Sequence, residues 1–266
     1  MKIVCLNAWG GKLAEDLVPW LADLQPDILC LQEVTHTPLS DQPILYYRDG
    51  KAELVQRANL FSEIRAVLSG HFAMFCPSAE GSLWHGDTEV SSQFGIATFV
   101  RSDLAIVAQA QAFVHKSYEP GGFGAHPRAR NAHVIRVFEG SNQRSITVAH
   151  MHGLYDPSGK MDTRERLAQV NQLRALVKTI AEPNDIQIIC GDFNVLPQSG
   201  TLHILHDDGL TELVTSRGFQ STRTSHYPKP GKFADYVLVN NVAPIKSFDV
   251  INNPEVSDHC PLVLEI

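Results

Sequence analysis

An apolar run through Ile186, Ile188 and Ile189 ends in Cys190-Gly191-Asp192-Phe193-Asn194, and the chain closes with Ser257-Asp258-His259-Cys260-Pro261. In both segments ionisable side chains stand where a short hydrophobic strand gives way to loop. Together they supply two carboxylates, a carboxamide and an imidazole. Such a set can hold a hard divalent cation and activate water beside it. Asp192 and Asn194 are two residues apart, so on extended backbone they share a face. Asp192 can take a proton from attacking water while Asn194 holds that water or a phosphate oxygen. The same pair also makes Asx turns readily, and taken alone the turn is the simpler reading. Asp258 and His259 can face one cleft from a loop. A carboxylate beside the imidazole favours its protonated form, which would stabilise charge on pentacovalent phosphorus. Asp235, opening Asp-Tyr-Val-Leu-Val, is the candidate to orient it.

Glu33 ends the apolar run Ile28–Gln32, where a carboxylate must be solvated, paired or bound to metal. Asn7 ends the first strand-like segment, and its oxygen with that of Glu33 would make part of a magnesium shell. His150-Met151-His152 places two imidazoles on one side, as zinc sites do. No third ligand lies at a suitable spacing, so zinc is not the expected metal. Arg128 and Arg130, in a glycine-rich stretch with His126, are candidates to clamp a phosphate. A mobile surface loop explains them equally well.

These residues need a scaffold of alternating strands and helices. Strand-like runs cover Lys2–Leu6, Ile28–Gln32, Phe94–Arg101, Ala105–Phe113, Ala132–Phe138, Ser145–Met151, Ile186–Cys190, Tyr236–Val239, Ile245–Val250 and Leu262–Ile266. Helical spacing predicts three helices. The first runs from Leu13 to Leu24, stopped by Pro26. The second spans Leu60 to Leu68, and the third Leu167 to Ile180 with Asp162 or Thr163 as its cap. The loops Tyr118–Arg130 and Arg217–Lys232 are long and polar enough to line an active site. The aromatics Phe72, Phe75, Trp84 and Phe94 read as core.

The 266 residues, 44% hydrophobic and 19% charged, are expected to form one α/β domain over positions 1–266. No apolar run approaches the roughly 20 residues of a membrane helix. The start, Met1-Lys2-Ile3-Val4-Cys5-Leu6, reads as a first strand rather than a secretory signal. Five scattered cysteines, with no CxxC pair, point to a reducing, cytoplasmic setting. A net charge of −7 argues against tight binding to bulk nucleic acid but leaves room for a locally basic cleft.

In order along the chain, Leu-Asn-Ala-Trp-Gly (6–10), Leu-Gln-Glu-Val (31–34), Val-Ala-His (148–150), Gly-Asp-Phe-Asn (191–194), Ala-Asp-Tyr-Val (234–237) and Ser-Asp-His-Cys-Pro-Leu (257–262) resemble the endonuclease/exonuclease/phosphatase superfamily. The resemblance implies a four-layer α/β sandwich: two mostly antiparallel sheets face to face, helices outside, active site at one edge. It implies Glu33 as principal ligand of Mg2+ (or Mn2+), with Asn7 and Asp258 helping. Asp192 would orient or deprotonate water and Asn194 would hold a phosphate oxygen. His259, paired with Asp235, and His150 would contact the scissile phosphate.

One scaffold hosts many substrates. Trp9 stands where AP endonucleases carry an acid, and Lys232-Phe233-Ala234 where they carry Trp-Arg. Inositol phosphatases differ at Asp235-Tyr236 and Cys190, and pancreatic deoxyribonuclease at Ser92-Gln93. Asn7-Ala8-Trp9-Gly10 and the His150/His152 pair resemble neutral sphingomyelinases, while Pro197 and Ser199 after Gly-Asp-Phe-Asn resemble poly(A)-removing nucleases. The expected activity is hydrolysis of a phosphodiester substrate, with nucleic acid slightly ahead of a phospholipid or small phosphoester. A non-catalytic binding module on the same scaffold would show gaps in the set, and every titratable member is present.

Overall fold

The computed structural model describes residues 1–50 and 52–266. The chain begins with β1 (Lys2–Asn7), a 3-10 turn at Trp9–Gly11, α1 (Ala14–Leu24) and β2 (Ile28–His36). β3 (Ile44–Asp49) and β4 (Ala52–Arg57) pair antiparallel before α2 (Leu60–Val67). Then come β5 (His71–His85), β6 (Thr88–Arg101), β7 (Ala105–His115), β8 (Arg130–Glu139) and β9 (Arg144–His152). α3 (Arg164–Ile180), β10 (Ile186–Asp192) and α4 (Gly200–Asp207) follow. β11 (Leu210–Glu212), β12 (Asp235–Asn240), β13 (Ser247–Val250) and β14 (Leu262–Glu265) complete the chain.

Eight strands form one sheet in the order β13-β14-β1-β2-β6-β5-β3-β4, and six form the other, β11-β12-β10-β9-β8-β7. Pairing is antiparallel except for β1 with β2 and β9 with β10. The result is the expected α/β sandwich. In β1 and β2 alternate residues serve two cores. Ile3, Cys5, Ile28 and Cys30 face the second sheet, while Val4, Leu6, Leu29 and Leu31 pack under α1 and α2. Burial on both faces explains why these strands read as continuous apolar runs. Val170 and Leu173 of α3 and Leu205 of α4 pack into the larger core with the second sheet. Thr163 caps α3, its Oγ1 accepting from the Arg166 N–H at 3.2 Å.

The topology gathers strand ends. Parallel neighbours bring their C-terminal ends to one edge, and antiparallel partners bring their N-terminal starts there. Asn7, the second half of β2, His152 and Asp192 therefore meet Asp235 and the loop before β14. Register states it directly: Asp192 sits opposite His152 on one side and Asp235 on the other.

All ten predicted strands exist. β3, β4, β5, β11 and α4 do not announce themselves in the sequence. The aromatics read as core are corrected in part: Phe72 is 51% exposed, Trp84 only half-buried, and Phe94 faces a cleft.

Candidate active site

β2 delivers Glu33 through a bulge. Its pairing with β6 slips between Leu31 and Val34, and Glu33 takes a left-handed φ of 54°. The extra residue breaks strict alternation, so Gln32 is fully buried while Glu33 turns toward the cleft. At the end of β10, Gly191 has φ 147°, and a Cβ there would lie 2.2 Å from the Met151 carbonyl oxygen. Only glycine lets β10 run this close to β9, which brings Asp192 level with His152.

Asn7 joins the two sheets. Its Nδ2 donates to Glu33 Oε1 at 3.1 Å and to Asp192 Oδ2 at 3.0 Å, while its Oδ1 accepts the Trp9 N–H. Asn7 is thus a bridge between the two carboxylates, with its oxygen held by the Trp9 N–H. Asp192 Oδ1 accepts the Asn194 N–H at 2.9 Å, so the Asx turn is real and fixes the carboxylate rather than replacing its function. Asn194 lines the cleft and donates to the Gly153 carbonyl at 3.3 Å.

His259 Nδ1 lies 2.8 and 2.9 Å from the two Asp235 oxygens, and Thr222 Oγ1 donates to the same carboxylate at 2.9 Å. The other ring nitrogen is 3.8 Å from Asp192 Oδ2 and accepts from Arg223. Burial works against the protonated His259 expected from its acidic neighbours. Burial, reinforced by the Arg223 charge, pushes its pKa down to about 4 despite Asp192 and Asp258. Burial also raises Asp235 to about 6, against the pull of Arg223. These directions favour a neutral imidazole in the free site, and Arg223 donating to Nε2 leaves Nδ1 to donate to Asp235. Asp192, Asp235 and His259 offer ligand atoms within 4.8 Å of one another. With Nδ1 already committed to Asp235, the trio is a relay rather than a cation cage.

His150 does not reach the cleft. It is 1% exposed between the sheets, with Nδ1 3.2 Å from Gln32 Nε2 and Nε2 2.8 Å from Thr98 Oγ1. The β9 histidine at the cleft is His152, two residues nearer the strand end. Its Nε2 is 3.7 Å from Glu33 and 3.9 Å from Asp192, and burial with nearby Arg130 holds its pKa well below the usual range. His152→Ala is expected to lower kcat about 10²-fold. His150→Ala instead empties a buried site and removes one partner each from Gln32 and Thr98, which keep the Cys30 carbonyl and His133, and it shows as a lower Tm. Kinetics and melting of both variants separate the roles, and an unchanged kcat in His152→Ala would return the assignment to His150.

A hard cation fits one corner. Asp258 Oδ2 accepts from Arg223 at 3.1 Å, whereas its buried Oδ1 has no hydrogen-bond partner among the described residues. Burial, then the charges of Asp258 and Asp192, raise the Glu33 pKa to about 7 against the Asn7 hydrogen bond. Crowded carboxylates with a spare oxygen are what a divalent ion satisfies.

The cleft, about 290 Å³, sets five cations (Arg128, Arg130, Lys160, Arg223, Lys229) against three acids (Glu33, Asp192, Asp258). Its local charge opposes that of the chain and suits an anionic ligand. Both candidate arginines lie here. Arg130 is 5% exposed and donates from Nε to the Gly153 carbonyl at 3.0 Å. Burial lowers its pKa only to about 10, so it stays charged. The two polar loops do line the cleft. Sequence reasoning missed Arg223, and it read Lys160, with Asp162, Arg164 and Arg166, as a solvated helix start rather than a substrate contact, whereas Lys160 lines the cleft and donates to the Phe233 carbonyl at 2.5 Å. Nothing local in the sequence tied either residue to the relay.

The sequence model of the endonuclease/exonuclease/phosphatase family matches residues 4–259. Among solved structures, the fold is similar to a Bacteroides thetaiotaomicron mannosyl-6-phosphatase: TM-score 0.69, 13% identity, covering 100% of this chain and 98% of that one. It is similar to the human Nocturnin catalytic domain, described with a bound sulfate anion: TM-score 0.67, 18% identity, 99% and 92% covered. A humanized D. rerio TDP2 gives TM-score 0.62 at 15% identity, with 99% and 97% covered. No curated protein matches the sequence.

Proposed function

Because the chain belongs to the endonuclease/exonuclease/phosphatase family, we propose that it is a Mg2+-dependent hydrolase of phosphodiester bonds, with a nucleic-acid chain as the favoured substrate class. The observation that carries this reading is the Asn7 amide, whose two hydrogen bonds place Glu33 and Asp192 side by side. One carboxylate belongs to a cation corner, the other to the histidine relay, and both open on the same basic cleft.

Glu33 and Asp258 would hold the ion. Mg2+ held there, with Mn2+ as an alternative, supplies a Lewis acid that neutralises phosphate charge. Asp192, fixed by Asn7 and the Asn194 N–H, orients the attacking water and accepts its proton. Asn194 and Arg130 hold non-bridging phosphate oxygens, and Arg223 faces the same group from the opposite wall. A phosphate against His259 Nε2 adds negative charge beside Asp192 and Asp235, and so moves the imidazole toward its protonated, donating form. Fixed donors and cations of this kind stabilise charge that develops during in-line displacement.

A lipid substrate is less favoured, because charged and polar side chains dominate the cleft walls, with Leu54 and Phe94 as the apolar exceptions. All five cysteines are buried and free, which suits a reducing, cytoplasmic setting. No helix among the described residues is long and apolar enough to cross a membrane.

The test is hydrolysis of bis-p-nitrophenyl phosphate with Mg2+, with Mn2+ and after EDTA. A parallel panel compares single- and double-stranded DNA, RNA, inositol phosphates and sphingomyelin vesicles. Cation-dependent turnover that EDTA abolishes is the expected result. No turnover of any panel member with either cation would overturn the reading, and preference for sphingomyelin would replace its substrate class.

A further inference from the structure

Past Arg128 the catalytic cleft opens into a second concavity of about 500 Å³, which shares Tyr47, His126 and Arg128 with the first. It lies where β3 joins β5 through one pair, Tyr46 opposite Trp84, and where the glycine-rich loop 121–128 closes over them. No residue assigned to hydrolysis occupies it except the shared wall.

That wall is built rather than loose. Arg128 donates from Nη2 to Tyr47 Oη at 2.5 Å and from Nε to the Gly124 carbonyl at 3.2 Å. Its guanidinium lies 5.3 Å from the Tyr47 ring and 6.0 Å from that of Phe123, while the two rings meet edge to face at 5.4 Å. Further in, the Arg48 guanidinium sits 5.2 Å over Trp84 and is steadied by Glu53 at 2.8 Å. On the far side of the reaction centre Lys12 stacks on Trp9 at 4.1 Å and Arg223 on Tyr227 at 4.2 Å. Every cation–π pair among the described residues therefore has its ring on one of these two concavities. Core packing alone does not require that distribution.

Alternating rings and guanidinium groups match one ligand chemistry above others. Aromatic faces stack on flat rings of any base, and planar forks grip phosphate oxygens in two places. A lone phosphoester would need the first concavity only. We propose that the second concavity is a substrate subsite that receives the nucleotide adjoining the scissile phosphate, so that the enzyme acts within a single-stranded chain rather than on a small diester. Tyr47 and Trp84 offer ring faces, Arg128 and Arg48 offer the charge, and Asp49 at the rim can accept from a base N–H or a sugar hydroxyl. This rests on the phosphodiesterase reading above and goes beyond it in naming what binds beside the reaction centre.

Two measurements test it. In the first, a fluorescein-labelled decamer of deoxythymidylate is titrated into Asp192→Ala protein with Mg2+ and followed by anisotropy. Adding Trp84→Leu or Arg48→Gln should raise Kd about tenfold each, and Trp84→Tyr should recover most of the loss by restoring a ring. In the second, the same substitutions in the active chain should lower the ratio of kcat/KM for the decamer to that for bis-p-nitrophenyl phosphate by a similar factor. An unchanged Kd with Trp84→Leu, an effect confined to Arg48→Gln, or an unchanged ratio would each overturn the subsite. The binding arm involves no hydrolysis. A protein that bound the decamer through Trp84 yet cleaved no phosphodiester would sink the catalytic reading and leave the subsite standing.

Discussion

Asp192→Ala is expected to lower kcat for bis-p-nitrophenyl phosphate by about 10³-fold while KM changes little, within the range that general bases contribute. Asp192 receives hydrogen bonds from Asn7 and from the Asn194 backbone, and both surviving ring nitrogens of the cleft histidines stand 3.8–3.9 Å from its Oδ2. No other carboxylate is held in that position. Glu33 faces the cation corner, and Asp235 is consumed by His259 and Thr222. The same substitution takes a hydrogen-bond acceptor from the Asn7 amide and the Asn194 N–H, so the variant should melt somewhat lower than wild type while remaining folded. A kcat within tenfold of wild type in a folded variant would refute the assignment.

The site was legible where chemistry coincides with strand ends. Asp192, Asp235, Asp258 and His259 each follow or open an apolar run, and the sheet order brings those ends to one edge. Glu33 was legible as a costly carboxylate, but its bulge was not, since the slip against β6 is a property of pairing. The choice between His150 and His152 failed for a related reason. Both side chains share one face of β9, and only the distance of each from the sheet edge decides which is core. The push on His259 toward its neutral form was not legible, because a neighbouring carboxylate is visible in sequence whereas burial and Arg223 are not. β3 and β4 escaped notice because Tyr46, Tyr47, Arg48 and Glu53 give no clean alternation of apolar and polar residues. With them went the second concavity.

The cation corner makes a prediction whose sign is fixed by the direction of the Glu33 shift. Its carboxyl holds a proton up to about pH 7, so below that pH a divalent ion must displace the proton in order to bind. One proton released per ion weakens binding about tenfold for each pH unit below 7, and above 7 the dependence levels off. Activity titrations with Mg2+ from pH 5.5 to 8 should show the activation constant following this curve. Glu33→Gln removes both the charge and the proton. It should flatten the curve and weaken activation at pH 8 by more than the tenfold to hundredfold that about one outer-shell substitution costs at a metal site. The paired behaviour separates Glu33 from the relay, because titration of Asp235 near pH 6 acts on kcat at saturating Mg2+ instead. A slope that survives in Glu33→Gln would move the ion to Asp258 and its neighbours. A flat curve in the wild type would mean that the cation does not meet Glu33 at all.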